Sequence, residues 1–386
     1  MIKNRNSPRP RYLRESIEED LSSKMVFVGG PRQVGKTTFA RNIMRDRAPN
    51  EMVTYLNWDA LEDREILLRH ELPSSGDLLV LDEIHKFADW RGLVKGYYDK
   101  HGESVSIVVT GSGRLDAYRK GGDSLQGRYH YYRLHPFSFG EIFEDSPQET
   151  IDALMRFGGF PEPLLNGTER FHRRWLREYS DRVTHEDVRD LENVRDITRL
   201  DLLLHHLPAC VGSPLSVNQL RKLLAVSHQS VERWLEIFER LYVSFRISPY
   251  GASKIRAVKK EQKLYFRDWS RVENPGARFE NMVACHLLKY CDAVEDMEGF
   301  RMELRYLRDT DGREVDFVVL REGRPEFAVE CKHSDRPLVP SIRYFRERTD
   351  IPEFYQTHLG TRDKGNAGSG GRLLPFSDLC QLKSLP

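Results

Sequence analysis

Residues Gly30-Pro31-Arg32-Gln33-Val34-Gly35-Lys36-Thr37 spell G-x-x-x-x-G-K-T, and their flanks give the pattern its meaning. Met25-Val26-Phe27-Val28 before it reads as a short buried β-strand, and Thr38-Phe39-Ala40-Arg41-Asn42-Ile43-Met44 after it as the start of a helix. Two glycines let the backbone curl so that successive N–H groups point inward at phosphate oxygens, and the helix N-terminus adds partial positive charge. The segment therefore predicts a nucleoside triphosphate site, with ATP cradled by Gly30 through Thr38. Lys36 is expected to reach the β- and γ-phosphates and the Thr37 hydroxyl to ligate Mg²⁺.

A triphosphate site also needs carboxylates, and Leu78-Leu79-Val80-Leu81-Asp82-Glu83 supplies two at the end of an apolar run. Four consecutive aliphatic residues predict a strand buried on both faces, as in a parallel sheet. Its C-terminal end is where open α/β sheets bind ligands. Asp82 is assigned to Mg²⁺, directly or through water, and Glu83 to polarising the attacking water. A third strand, Val105 to Thr110, runs into Gly111-Ser112-Gly113-Arg114, where Ser112 or Thr110 is a candidate sensor of the γ-phosphate. Both residue types also favour turns for purely local reasons.

Further along stand Leu125-Gln126-Gly127-Arg128, the segment Leu134-His135-Pro136-Phe137-Ser138-Phe139-Gly140-Glu141, and Gly158-Gly159-Phe160-Pro161-Glu162-Pro163. With GPRQVGKTT, LDE and TGS, in that order, these resemble the bacterial and archaeal AAA-type ATPases that carry a C-terminal domain of unknown function related to restriction endonucleases. The resemblance spans roughly Tyr12 to Leu379. It implies an AAA+ core, ATP hydrolysis, and a γ-phosphate-directed role for Arg128 across a subunit interface, hence a homo-oligomer such as a ring. The bland reading of Arg128 is a surface arginine paired with an acid.

The expected fold class is α/β: a P-loop core with a parallel sheet and flanking helices, a helical lid, a winged helix, and a C-terminal α/β restriction-endonuclease-like domain. The corresponding ranges are 1–150, 151–212, 213–250 and 251–386. Ser216 and Ser227 are predicted helix caps. Val231, Trp234, Leu235, Phe238 and Leu241 recur at helical spacing, and Val243, Phe245 and Ile247 alternate as a wing strand would. Glu232, Glu236 and Glu239 beside Arg233 and Arg240 make a weak phosphate-binding face on the second helix. With 31% charged and 39% hydrophobic residues and a net charge of +1, the chain has no global drive toward nucleic acid. DNA binding would need a local patch. No apolar run is long enough for a membrane span, the basic N-terminus lacks the apolar stretch of a secretory signal, and five scattered cysteines fit reduced thiols, so a cytoplasmic location is expected.

The last segment carries a second constellation. Glu314 to Leu320 and Phe327 to Lys332 read as two strands of a hairpin, with Glu330 and Lys332 on one face. Asp316 on one strand and Glu330-x-Lys332 on the other resemble the PD-(D/E)xK metallonucleases. In that reading Asp316 and Glu330 hold Mg²⁺ or Mn²⁺, Lys332 orients or deprotonates a water, and Glu280, on an upstream helix, completes the shell or positions a ligand. The pattern is loose, and charges alternating on a hairpin are often only a solvated face. The alternative is an ATP-controlled binding protein built on an inactive nuclease fold. Gly360 to Gly371 reads as a loop, and the arginines at 343, 346 and 348 either flank a nucleic-acid groove or pair with Glu347 and Asp350.

Overall fold

The three apolar runs become neighbouring strands of one sheet. In the computed structural model, which describes residues 9–73, 75–111, 115, 125–188, 196–251, 261–367 and 370–386, the chain divides into two units. The first holds the described residues up to His135 together with Arg240–Tyr242; the second holds residues 136–239 and 243–386.

The first unit contains β1 (Met25–Gly29), β2 (Val53–Asn57), β3 (Leu78–Asp82), β4 (Ser106–Thr110) and β5 (Tyr129–Arg133), in the order β2-β3-β4-β1-β5. Every pair is parallel. Successive side chains point to opposite faces, so an unbroken aliphatic strand needs cover on both. Val26, Val28, Val80 and Val108 pack on one face with Ile17 of α1 (Arg14–Asp20) and Phe39, Ala40 and Ile43 of α2 (Lys36–Arg47). Phe27, Leu79, Leu81 and Val109 pack on the other with Leu67 of α3 (Leu61–Leu68) and Trp90, Leu93 and Val94 of α4 (Trp90–His101). Each fully buried aliphatic side chain contributes about 1.5–3 kcal/mol, and parallel pairing brings the C-terminal ends of all five strands to one edge.

The second unit is built on an eight-stranded mixed sheet with β6 (Ser244–Pro249), β7 (Lys263–Phe266), β8 (Met302–Arg308), β9 (Glu314–Arg321), β10 (Arg324–Lys332), β11 (Phe354–His358), β12 (Gly365–Ala367) and β13 (Gly371–Pro375). The order is β12-β13-β11-β10-β9-β8-β6-β7. The predicted hairpin is β9/β10, antiparallel, with Phe317 opposite Val329. A 24-residue helix, Pro275–Glu298, begins with the Asn274 side chain accepting from the Ala277 N–H and ends at Gly299, φ +78°. Proline at its first position and glycine past its last follow the usual asymmetry of helix ends.

Three features of the structure differ from the expected organisation. The helical segment that was read as a separate lid is bonded into the C-terminal part. Trp269 Nε1 donates to Leu154 O at 2.7 Å, Arg278 to Met155 O at 3.3 Å, and Arg271 to the Ser180 hydroxyl at 3.0 Å. The two units divide at 135/136, ahead of the expected boundary at 150/151. The two helices after residue 213 form as expected, Val217–Leu224 and His228–Arg240, capped by Ser216 and Ser227. The wing strand does not end a module, however: β6 pairs with β7 and also, through Ser248 and Pro249, with β8. Its open edge is used to extend the sheet, so the boundary at 250/251 cuts through continuous structure. Finally, Gly360 to Gly371 is not all loop, since β12 pairs with β13.

Candidate nucleotide site and a second carboxylate cluster

The phosphate loop sits between β1 and α2. Gly30 (φ +140°), Gln33 (φ +61°) and Gly35 (φ +97°) bend it into a concave turn. At Gly30 a Cβ would lie 2.3 Å from the Leu134 carbonyl oxygen, so only glycine fits. Pro31 and Val34 are buried, Arg32, Gln33 and Thr37 half-buried, and Thr38 exposed. The Lys36 ammonium donates to the carbonyls of Pro31 (2.7 Å) and Gly30 (3.1 Å). Buried Arg11, which the motif gave no reason to include, braces the loop from outside by donating to Val34 O at 3.2 Å.

Register brings the carboxylate to the loop. Asn57, Asp82 and Thr110 are aligned across β2, β3 and β4. Thr37 donates to Asp82 Oδ2 at 2.8 Å, Tyr55 donates to the same oxygen at 2.7 Å, and Thr110 donates to Oδ1. Burial and the Asp82 carboxylate push the Tyr55 hydroxyl up to about 12. It is therefore a permanent donor, and it was missed because a tyrosine in a strand carries no sequence signal for this role. Thr110, fully buried, is committed to orienting Asp82; the other candidate sensor, Ser112, lies outside the described residues. Glu83 follows in the left-handed region (φ +55°), its N–H bonded to Thr110 O at 3.0 Å. Burial raises the pKa of its carboxyl, opposed by Lys36 and Lys86. Its oxygen stands 3.5 Å from Lys86 and 3.8 Å from buried His85. These residues fit Mg²⁺ and ATP: one hydroxyl and one carboxylate for a hard cation, and an ammonium on a glycine-shaped loop for phosphate.

Arg128 is not part of this assembly within its own chain. Its carbonyl accepts from Met25 N at 3.1 Å, at the start of the strands. In a parallel sheet that edge is about 17 Å, five residues of strand, from the loop's edge. The guanidinium is bonded to Asp99 at 2.6 and 3.3 Å.

In the second unit the hairpin does assemble the predicted set. Glu330 Oε2 accepts from the Asp316 N–H at 3.3 Å, Asp316 accepts from the Cys331 N–H at 2.8 Å, and Lys332 donates to Glu330 at 2.5 Å. Glu280 arrives from the long helix. Burial first, then the Glu280 and Glu330 charges, push the Asp316 carboxyl well up. Burial likewise raises Glu330, opposed by Lys332. The Cys331 thiol is buried, as expected for a structural residue.

Sequence reasoning missed the centre of this cluster. Lys263, the first residue of β7, is fully buried, with its ammonium 3.2 Å from Glu280 and 3.6 Å from Asp316 and ion-paired to Glu314. Tyr265, two residues on, donates to Glu280 at 2.7 Å. A lysine leading an apolar strand was the available signal. Among the described residues no group of three or more His, Cys, Asp or Glu side chains has the arrangement of a metal site. The carboxylates converge on an ammonium, so as arranged they do not fit a metal ion. The arginine patch nearby is at least partly self-neutralised, with Arg343 and Arg348 on Glu347 at 3.3 and 3.1 Å.

A family model described as an AAA domain matches residues 22–143. Two models described as domains of unknown function, DUF8612 and DUF4143, match 148–272 and 275–377. The chain is 25% identical over 349 residues to the uncharacterized protein MJ1544 of Methanocaldococcus jannaschii, covering 81% of this chain and 76% of that one. It is 23% identical over 329 residues to the uncharacterized protein Rv2008c of Mycobacterium tuberculosis, covering 82% and 71%. Among solved structures it is similar to Aeropyrum pernix ORC1 in complex with DNA, at 16% identity and TM-score 0.35 over 71% of this chain and 94% of that one. It is also similar to the Thermotoga maritima RuvB Holliday junction branch migration motor, at 17% and 0.31 over 61% and 87%. No helix among the described residues is long and apolar enough to cross a membrane. The family match, the glycine-shaped loop and the hydroxyl-held carboxylate at its mouth make the N-terminal region an AAA-type, nucleotide-binding ATPase domain.

Proposed function

We propose that the chain couples Mg²⁺-dependent ATP hydrolysis to a nucleic-acid-directed, nuclease-like C-terminal domain. The observation that carries the ATPase half is the convergence of the Thr37 and Thr110 hydroxyls on Asp82 at the mouth of the phosphate loop. Backbone N–H groups from Arg32 to Thr37 bind the phosphates and Lys36 moves from the loop carbonyls onto them. A Mg²⁺ ion held by Thr37 and Asp82 supplies charge neutralisation on the phosphate oxygens. Glu83, whose pKa is raised by burial, accepts the proton of the attacking water. Arg128, far from its own loop, serves a nucleotide bound to a neighbouring copy, which makes the active form an oligomer. The Asp316, Glu330 and Lys332 set on one hairpin favours the nuclease-like half, with DNA as the partner; Asp316 and Glu330 would hold Mg²⁺ or Mn²⁺ only with the Lys263 ammonium out of the cluster.

A second reading has a specific observation in its favour. Lys263 lies among the carboxylates that the nuclease reading gives to a metal, which suits an ATP-controlled binding protein on an inactive nuclease fold. Cleavage of supercoiled plasmid and single-stranded DNA with Mg²⁺ or Mn²⁺, run beside an ATP-turnover assay, separates the two. Wild type, Lys36→Ala and Asp316→Ala are compared. Nicking lost in Asp316→Ala while ATP turnover survives supports the first reading; intact DNA throughout, with turnover present, supports the second. Absence of turnover in wild type, with or without DNA, refutes both.

A further inference from the structure

Burying a carboxylate is costly unless it is paired, and the C-terminal cluster holds four of them: Glu280, Glu314, Asp316 and Glu330. Lys332 reaches only Glu330 among them, from the partly exposed end of β10. Glu280, Glu314 and Asp316 are drawn together by Lys263, which has no exposed surface. The Tyr306 ring stands 5.6 Å from its ammonium. Three carboxylates from one helix and one strand around a single cation are the arrangement a divalent metal would impose, here made by a side chain.

We propose that Lys263 is the resident cation of this cluster, and that a divalent metal enters only when its ammonium is displaced. This rests on the nuclease-like reading of Asp316, Glu330 and Glu280, and it adds a control to that site. The Arg308 guanidinium also holds Glu314, at 2.8 Å, so two ammonium groups and one guanidinium face the four carboxylates. A metal and the lysine cannot both occupy the focus of Glu280 and Asp316, because like charges at that separation repel strongly in a buried setting. Any event that draws β7 away from β9 would vacate the position.

The experiment is Mn²⁺ binding to the full nucleotide-free chain, followed by loss of the free-ion electron paramagnetic resonance signal. Wild type and Asp316→Asn are expected to be indistinguishable, with no Asp316-dependent site up to millimolar Mn²⁺. Glu314→Gln, which removes one anchor of Lys263 and the carboxylate partner of Arg308 but none of the three assigned metal carboxylates, is expected to bind at least tenfold more tightly than wild type. Taking away a carboxylate from a resting metal site would do the reverse. Lys263→Met is expected to gain the same site and to lose it in combination with Asp316→Asn. Should Lys263→Met fail to fold, the wild-type and Glu314→Gln titrations still decide. Asp316-dependent binding by wild type as tight as by Glu314→Gln overturns the inference, as does an unchanged affinity in Glu314→Gln. The nuclease reading fails separately, through intact DNA, whatever the Mn²⁺ result.

Discussion

His286 should make the protein acid-sensitive in a way that can be worked out in advance. It lies on the long helix, wholly buried, between Trp269 (5.7 Å) and Phe376 (5.0 Å). Its Nδ1 bonds the Met282 carbonyl at 2.8 Å, so Nδ1 carries the proton; Nε2 is then the acceptor for the Phe139 N–H at 2.9 Å. A second proton would have to displace that bond and charge a dry site, and Lys289 nearby opposes it further. Burial accordingly pushes the ring down from 6.5 to about 4. Because the folded pKa is depressed, the unfolded chain takes up the proton first. Stability from this group is therefore whole above pH 6.5 and falls between 6.5 and about 4. Between pH 7.5 and pH 5 the loss is about 2 kcal/mol, from about 1.4 kcal/mol per unit over the last unit and a half. The comparison is urea unfolding by tryptophan fluorescence of wild type against His286→Gln, whose amide oxygen accepts without titrating. Other groups titrate alike in both, so the gap between the two proteins should change by about 2 kcal/mol across that range. Parallel pH profiles would refute the reasoning, and a wild type that gained on acidification would invert its sign.

Two further substitutions test the remaining geometry. Thr110→Val removes one of three hydroxyls holding Asp82. A hydrogen bond to a charged group is worth about 1.5–3 kcal/mol, so ATP turnover should fall about tenfold to a hundredfold while nucleotide binding without metal is kept. Unchanged turnover would mean that Asp82 needs no such alignment. Arg246→Met breaks a bidentate pair with Glu239 (2.7 and 3.0 Å) and a bond to Glu232 (2.8 Å) that tie β6 to the helix before it. Discounted for carboxylates about one-third exposed, the loss should be about 2 kcal/mol in chemical unfolding. A double-mutant cycle with Glu239→Gln should recover most of it, and additive losses would show that the pair does not interact.

The nucleotide loop was legible in the sequence because it depends on contiguous residues. Glycine conformation, strand–turn–helix order and a carboxylate ending an aliphatic run are local properties, and each was found in the expected element. The β9/β10 hairpin was legible for the same reason: period-two alternation puts Glu330 and Lys332 on one face, and the register that sets Phe317 opposite Val329 then brings Asp316 beside them. What the tertiary structure alone decided were the partners that come from elsewhere in the chain. Tyr55 reaches Asp82 because β2 lies beside β3 in register, and Arg11 reaches Val34 across the fold of the first unit. The helices after residue 136 and the strand β6 read as separate modules, since no run of sequence records which sheet edge a strand will join. Lys263 is the sharpest case. Alone it is a charge at the head of an apolar strand; only packing against β9 and the long helix buries it among three carboxylates, where the cost of leaving those charges unpaired gives it its role.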